Sequence, residues 1–410
     1  MGGQALSKAN RTAITYLYEG MNRLNLVYRV LVLRDAVAQD AEQLCRWWND
    51  GAVMAHAGFP LGLHETVQRV RESLAKDSEE NGRRQIIECA GVPIGEMNYR
   101  RVEENTAEIG IKICEEAAQG KGNGTILLSI FIDALFRYYA YDKVILDTNL
   151  NNTRAQHVYE AKLRMRRVGV RRDCWRDQLG ALQSAVDYLI EKDAWVAAHP
   201  TLPDYLRLRL ERPEEYHAVE ELTREAFWIN TDAGQIVDEH FLVYKLRRSA
   251  CFIPELDYVA ERQGRVVGSI FYSRGKVVSE EGSEHPLITF GPISVLPESK
   301  LHGVGSALMT FSIAQARRLG YVAIAFHGHP DYYPRFGFRP AREFGLCSAN
   351  GKASDAFMAM ELTPGGLRGI TGRFYEDPLF SNMTPEEVSD YDRRFPVKAA
   401  LPMILLHRLK

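Results

Sequence analysis

The pattern of strands, helices and glycines predicts an α/β protein made of two tandem modules of one architecture. Three observations carry this expectation. The chain has 410 residues, more than a single hydrophobic core comfortably holds. Each half runs through the same order of patterns: an alternating strand, an amphipathic helix, a hairpin, then a strand entering a glycine loop and a helix. The loop glycines also repeat, Gly122 and Gly124 recurring as Gly303 and Gly305 with the same flanking elements.

In the first half, YRVLVLRDAV reads as an alternating strand, and AQDAEQLCRWWND as an amphipathic helix opening behind Asp35. RQIIECAGVPIGEMNYR carries two strand-like runs around Ala90-Gly91. AEIGIKICEEAAQGKGNGTILLSIFIDALFRYYAY is strand, glycine loop and helix, and KVILDTN is a further strand. DQLGALQSAVDYLIEKDAW fits strand or helix with an apolar face. Pro200 and Pro203 then break the chain at a linker set at residues 197–204. The second half repeats the series with YLRLRLERP, EEYHAVEELTREAF, a hairpin around Gln263-Gly264, LITFGPISVLPESKLHGVGSALMTFSIAQARRLGY and VAIAFHG. The modules are placed at residues 27–196 and 205–362, with extensions at 1–26 and 363–410. The last extension is too short and broken for its own core and is expected to wrap the second module, ending in the strand-like run LPMILLHRL.

Composition narrows the classes of function. With 46% apolar and 25% charged residues the chain reads as globular, and its formal charge of -2 gives no bulk attraction to nucleic acid or to an anionic membrane. The basic stretch Arg164, Arg166, Arg167, Arg171, Arg172 is a local exception, read first as a solvated face. No apolar run is long enough to span a membrane, the N-terminus lacks a signal-peptide pattern, and Leu6 stands where a myristoylation signal wants Ser or Thr. Six cysteines lie scattered with no metal-like or paired spacing, which fits reduced thiols in the cytoplasm. His327 and His329 lack zinc-site spacing, and no metal is expected.

A glycine loop opening a helix presents main-chain N–H groups backed by the positive end of the helix dipole. Gly120, Gly122 and Gly124 in the first half, and Gly303 and Gly305 in the second, let phosphate oxygens approach the chain closely. A plain strand-to-helix turn needs the same residues. Neither loop has the last glycine of a dinucleotide fingerprint or the Gly-Lys-Ser/Thr of a nucleotide-triphosphate loop.

On these residues both halves resemble the GCN5-related N-acetyltransferase (GNAT) family, whose signature is Gln/Arg-x-x-Gly-x-Gly/Ala. Gln119-Gly120-Lys121-Gly122-Asn123-Gly124 fits it fully, and Lys300-Leu301-His302-Gly303-Val304-Gly305 fits except at Lys300. The first half is similar to the ribosomal-protein-alanine and aminoglycoside acetyltransferase subgroup through RWWNDGAVMAHAGFP, AEIGIKI and DTNLNNTRAQHVYE. The second resembles a subgroup of predicted N-acetyltransferases through FGPISV, GHPDYYPRFGF and DAFMAMEL. The resemblance implies a mixed, mostly antiparallel sheet flanked by helices, with a splayed central strand. It also implies acetyl-CoA, or another acyl-CoA, held by the loops and by that strand. The residues concerned are Ile111, Ile113, Gln119 to Gly124, Thr125 and Asn152, and in the second half Ile293, Val295, Lys300 to Gly305 and Ser306.

Moving an acyl group from a thioester to an amine requires a base for the ammonium, a donor for the carbonyl oxygen and a proton or hydrogen bond for the thiolate. The resemblance implies Tyr159 and Tyr333 for the thiolate, and a main-chain N–H near Ile111 or Lys112, or near Ile293 or Ser294, for the carbonyl. Glu108 and Glu96 are the candidate base or amine-binding groups, each also readable as an ordinary surface carboxylate. Asn149 and Asn152 end a strand, where a turn cap competes with a ligand contact. The first half departs from the family at Leu163-Arg164, where Gly-Phe is expected and the stretch to Gly169 is one residue longer. The expectation is an N-acetyltransferase acting directly on a small-molecule amine or peptide. The alternative is a CoA-binding sensor or scaffold with one or both modules inactive. No nucleic-acid or membrane partner is expected, and a homo-oligomer is left open.

Overall fold

The computed structural model describes residues 24–78, 80–228, 237–351 and 354–398. Most of the N-terminal extension and the run at 401–409 therefore lie outside the described residues. Two compact units divide between Arg207 and Leu208.

The first unit is one sheet in the order β1 (Asn25–Tyr28), β2 (Leu31–Asp35), β3 (Arg83–Cys89), β4 (Val92–Glu103), β5 (Thr106–Ile113), β6 (Lys143–Asn149), β8 (Leu182–Glu191), β7 (Arg166–Arg176). All neighbours are antiparallel except β5 and β6, which run parallel and pair only at Thr106, Ala107 and Glu108. Beyond Glu108 the two strands part, while β6 stays paired with β8 along its whole length. Helices α1 (Ala41–Trp48), α2 (Gly51–Met54) and α3 (Val67–Leu74) join β2 to β3, and α4 (Asn123–Tyr138) joins β5 to β6. α4 is apolar nearly all round, and Leu127, Ile130, Phe131, Ala134 and Leu135 bury completely or almost so in the core. α5 (Thr153–His157) follows β6, and α6 (Lys192–Ala198) follows β8. The stretch that fitted strand or helix is thus both in turn, β8 then α6.

The second unit repeats the plan. Helices α7 (Tyr216–Trp228) and α8 (Glu239–Leu246) follow β9 (Leu206–Leu210), and β10 (Tyr258–Arg262), β11 (Arg265–Val278) and β12 (Glu284–Val295) form an antiparallel run. β12 meets the parallel β13 (Ala323–His327) at one pair, Ile288 with Ile324, before parting from it. Between them lies α9 (Val304–Arg318). The short β14 (Arg339–Pro340), β15 (Leu346–Ser348) and β16 (Phe357–Glu361) complete the conserved order. The C-terminal extension does more than wrap: β17 (Gly372–Tyr375) pairs with β11 and β15. α10 (Pro385–Asp392) puts Val388 and Tyr391 against Phe241 of α8.

A buried ionic node marks the duplication more sharply than the glycines do. In the first unit the Arg34 guanidinium donates to both oxygens of Asp40 at 2.7 Å and, through Nε, to Glu88 at 2.7 Å. In the second, Arg209 donates to Glu215 at 2.6 and 2.7 Å and, through Nε, to Glu261 at 2.8 Å. Arg34 is on β2 and Arg209 on β9, each the strand that leads into its unit's first helix; each two-oxygen partner lies just before that helix, and each third partner on the hairpin.

Candidate active site

The parting of β5 from β6 opens a cleft of about 770 Å³ in the first unit. Its walls are Glu108–Ile113 of β5 and Leu146–Asn149 of β6, and one end is closed by the loop from Gln119 to Thr125. Gly122 is the N-cap of α4 with φ 80, and Gly120 has φ 76, both in the region that a side chain disfavours. A Cβ on either glycine would meet nothing within 4 Å, so the helix mouth is open to a ligand. Gly124 sits under the strand instead: a Cβ there would touch Ile111 and Ile113 at 3.7 and 3.8 Å. Exposed Lys121 adds a cation beside the loop, and Gln119 is committed to the Ile113 carbonyl at 3.0 Å. Main-chain amides and the dipole of a long helix thus converge on one open spot, a seat suited to a diphosphate.

At the other end of the cleft Tyr159 is 7% exposed and stands edge-on to Tyr188 at 5.4 Å. Burial, helped by Asp147, pushes its phenol up to about 12, so it stays protonated and able to donate. The extra residue in this stretch is absorbed as a π-helical turn, Val158–Lys162, closed by Leu163 N–H to the Val158 carbonyl at 3.0 Å. The expected Gly-Phe position is therefore corrected. Left-handed Arg164 (φ 55) does the turning that Gly337 (φ 98) does in the second unit, and buried Met165 takes the place of Phe338. Leu163, fully buried, is the inserted residue's accommodation in the core rather than the turn itself.

The two candidate carboxylates separate clearly. Glu108 lies at the cleft rim and is engaged by Arg100 at 2.7 and 2.8 Å. Glu96 lies in the floor, 3% exposed. The Trp48 indole N–H donates to both of its oxygens at 3.0 Å, and Lys112 Nζ donates to Oε1 at 2.8 Å. Asn152 caps α5, accepting from Ala155 N–H and donating to Thr148, and Asn149 is tied to Gln183 and the following turn. Both are turn caps that also face the cleft. From the basic stretch, Arg171 is held by Asp147 and Asp187.

In the second unit Gly303 (φ 79) caps α9 as Gly122 caps α4. Leu301 keeps the left-handed turn of Gly120 with φ 66 despite its side chain, which is fully exposed. Lys300 bends away, its ammonium 3.4 Å from the Ala226 carbonyl, where burial lowers its pKa. His302 bonds the Lys300 carbonyl. A Cβ on Gly305 would touch Val295 at 3.7 Å, so Val295 matches Ile113 and Ile293 matches Ile111. Tyr333 packs edge-on to Phe326 at 4.6 Å, and burial pushes it up to about 12. Sequence reading passed over its neighbour: the Tyr332 hydroxyl reaches 3.4 Å from a Cβ position on Gly305, directly at the helix mouth.

The strand registers allow matching positions of the two units to be compared. Gly95 opposes Ile113 and Glu96 opposes Lys112, while Gly268 opposes Val295 and Ser269 opposes Ser294. Thr223 stands as far along its helix from Glu215 as Trp48 does from Asp40. The trio Trp48, Glu96, Lys112 is therefore replaced by three hydroxyls, Thr223, Ser269 and Ser294, with Ser294 donating to Thr223 at 3.2 Å.

Two family models match the chain: the acetyltransferase (GNAT) domain over residues 30–165 and the acetyltransferase (GNAT) family over residues 207–338. The chain belongs to the GNAT acetyltransferases, with two such domains in tandem. It is similar to a GNAT N-acetyltransferase of Escherichia coli in complex with CoA, at 25% identity over 43% of this chain and 92% of that one, TM-score 0.38. It is also similar to a GNAT acetyltransferase of Brucella melitensis in complex with acetyl-CoA, at 28% identity over 43% and 98%, TM-score 0.34. A spermidine N-acetyltransferase of Vibrio cholerae with CoA and spermine matches at 22% identity over 41% and 98%, TM-score 0.37. No curated protein matches. Among the described residues no cluster of His, Cys, Asp or Glu fits a metal ion, and no helix is long and apolar enough to cross a membrane.

Proposed function

We propose that the first GNAT domain transfers an acetyl or other short acyl group from CoA directly to a primary amine. One observation carries the reading: a single cleft joins an open helix mouth, an unpaired strand edge, a protonated phenol and a buried carboxylate. The amides of Gly122 to Gly124 would hold the diphosphate, and the free edge of β5 would take the pantetheine amides and the thioester carbonyl. Glu96 would receive the amine's proton, and Tyr159 would donate to the departing sulfur. Acyl transfer without a covalent enzyme intermediate suits Cys114, whose buried thiol is pushed up to about 12 by desolvation and by the neighbouring Glu96.

Release of free thiol from acetyl-CoA is measured against a panel of primary amines. Tyr159→Phe is expected to lose turnover while calorimetry shows CoA still bound. Unchanged rates in Tyr159→Phe would remove the assignment, and a chain that ignores CoA would remove the whole reading.

For the second domain, a binding role without transfer is favoured by buried Ser269, which stands at the register position of Glu96 and offers no carboxylate. Two CoA sites by calorimetry, with turnover insensitive to Tyr333→Phe, would fit that role. Loss of part of the turnover in Tyr333→Phe would assign chemistry to both domains.

A further inference from the structure

The Lys112 side chain puts a primary amine in the cleft, against the carboxylate proposed as its base. It stands on β5 next to Ile111, on the stretch that has parted from β6, and it lines the cleft. Its ammonium is 2.8 Å from Glu96 Oε1, and 30% of the side chain stays open while Glu96 is almost wholly enclosed. A primary amine, its carboxylate partner and the thioester's strand edge thus share one wall. The four-carbon stem of a lysine lets the nitrogen swing without moving the backbone.

We propose that the first domain acetylates its own Lys112, an inference that rests on acyl-CoA binding in this cleft. The ammonium gives one proton to Glu96. The freed nitrogen forms a bond to the acyl carbon as the carbon–sulfur bond breaks, and its second proton leaves with the sulfur as CoA thiol. Glu96 then returns its proton to water. The product is a neutral amide at position 112, so the reaction stops after one acyl group and strips Glu96 of its cation. Glu96 keeps the Trp48 indole N–H and gains room for an incoming ammonium. The second domain has Ser294 and Ser269 at the matching positions, so the modification is confined to the first domain.

The full chain is incubated with acetyl-CoA and no added amine, then weighed intact and mapped by peptide mass spectrometry. One acetyl group per chain is expected, on Lys112, saturating with acetyl-CoA and suppressed by excess CoA. Lys112→Arg should abolish it, and Glu96→Gln should slow it about a hundredfold, as loss of a general base does. The idea is overturned if Lys112 stays free while exposed lysines such as Lys76 and Lys143 take the label, or if labelling ignores both substitutions. Parallel calorimetry separates the two failures. A chain that binds CoA but leaves Lys112 unmodified sinks only the self-acetylation, whereas a chain that does not bind CoA sinks the proposed function as well.

Discussion

Arg34 grips Asp40 through two parallel hydrogen bonds of 2.7 Å, and the chain repeats this grip with Arg209 and Glu215. Both arginines are almost fully buried, and each binds a second carboxylate through Nε. The node ties together the strand before the first helix, the entry to that helix and the hairpin. Removing the arginine takes from two enclosed carboxylates the guanidinium they share.

Arg34→Met is therefore expected to destabilise the first domain by about 3–5 kcal/mol, and Arg209→Met the second by a similar amount. Urea unfolding followed by domain-specific probes reads this out. A shift below about 1 kcal/mol in either variant would show that the node is not structural.

Tyr159 gives a pH prediction. Its folded-state value, pushed up to about 12 by burial and Asp147, lies above the ordinary value of 10.0. The phenol therefore remains a donor across pH 8 to 10, and turnover should show no alkaline decline assignable to it there. The folded state holds this proton more tightly than the unfolded chain. Its contribution to stability is complete below about pH 10 and is lost as pH climbs toward 12. An alkaline limb near pH 9 that vanishes in Tyr159→Phe would contradict the assignment.

The cysteines differ in reactivity by position. Cys114 is buried and pushed up to about 12 by desolvation, with Glu96 adding to the effect, whereas Cys174 is exposed. At pH 8 iodoacetamide should label Cys174 readily and Cys114 only after unfolding. Fast labelling of native Cys114, or an acetyl thioester on it, would restore a covalent route.

His240 is expected to make the second domain sensitive to acid. It is fully buried, 3.2 Å from Asp392 and close to the Arg224 that holds the same carboxylate. Burial is the main reason its pKa falls to about 4, opposed by Asp392 and assisted by Arg224. The unfolded chain binds the proton more readily, so stability present above about pH 6.5 is lost as pH falls toward 4. His240→Gln should flatten the thermal midpoint of the second domain across that window. An unchanged slope would show that other groups control it.

The glycine loops and the repeated order of elements were legible in the sequence, because backbone chemistry ties them to local pattern. A left-handed turn wants glycine, a helix facing a sheet wants an apolar stripe, and a diphosphate wants free amides. Local pattern also exposed the odd residue near Leu163, though not its resolution as a π turn, which depends on where the core accepts Leu163 and Met165. Tyr332 carried no local signal, since its hydroxyl meets Gly305 only through the fold.

What the chain's order of residues determined alone was a duplicated scaffold with two anion-ready helix mouths. What only tertiary structure decided was which side chains meet at matching positions of the two sheets. Trp48, Glu96 and Lys112 are far apart along the chain and become neighbours through strand register, as do Thr223, Ser269 and Ser294. Register follows from side-chain packing across the whole sheet. Two halves with the same pattern therefore came to hold an ion pair at one place and buried hydroxyls at the matching one.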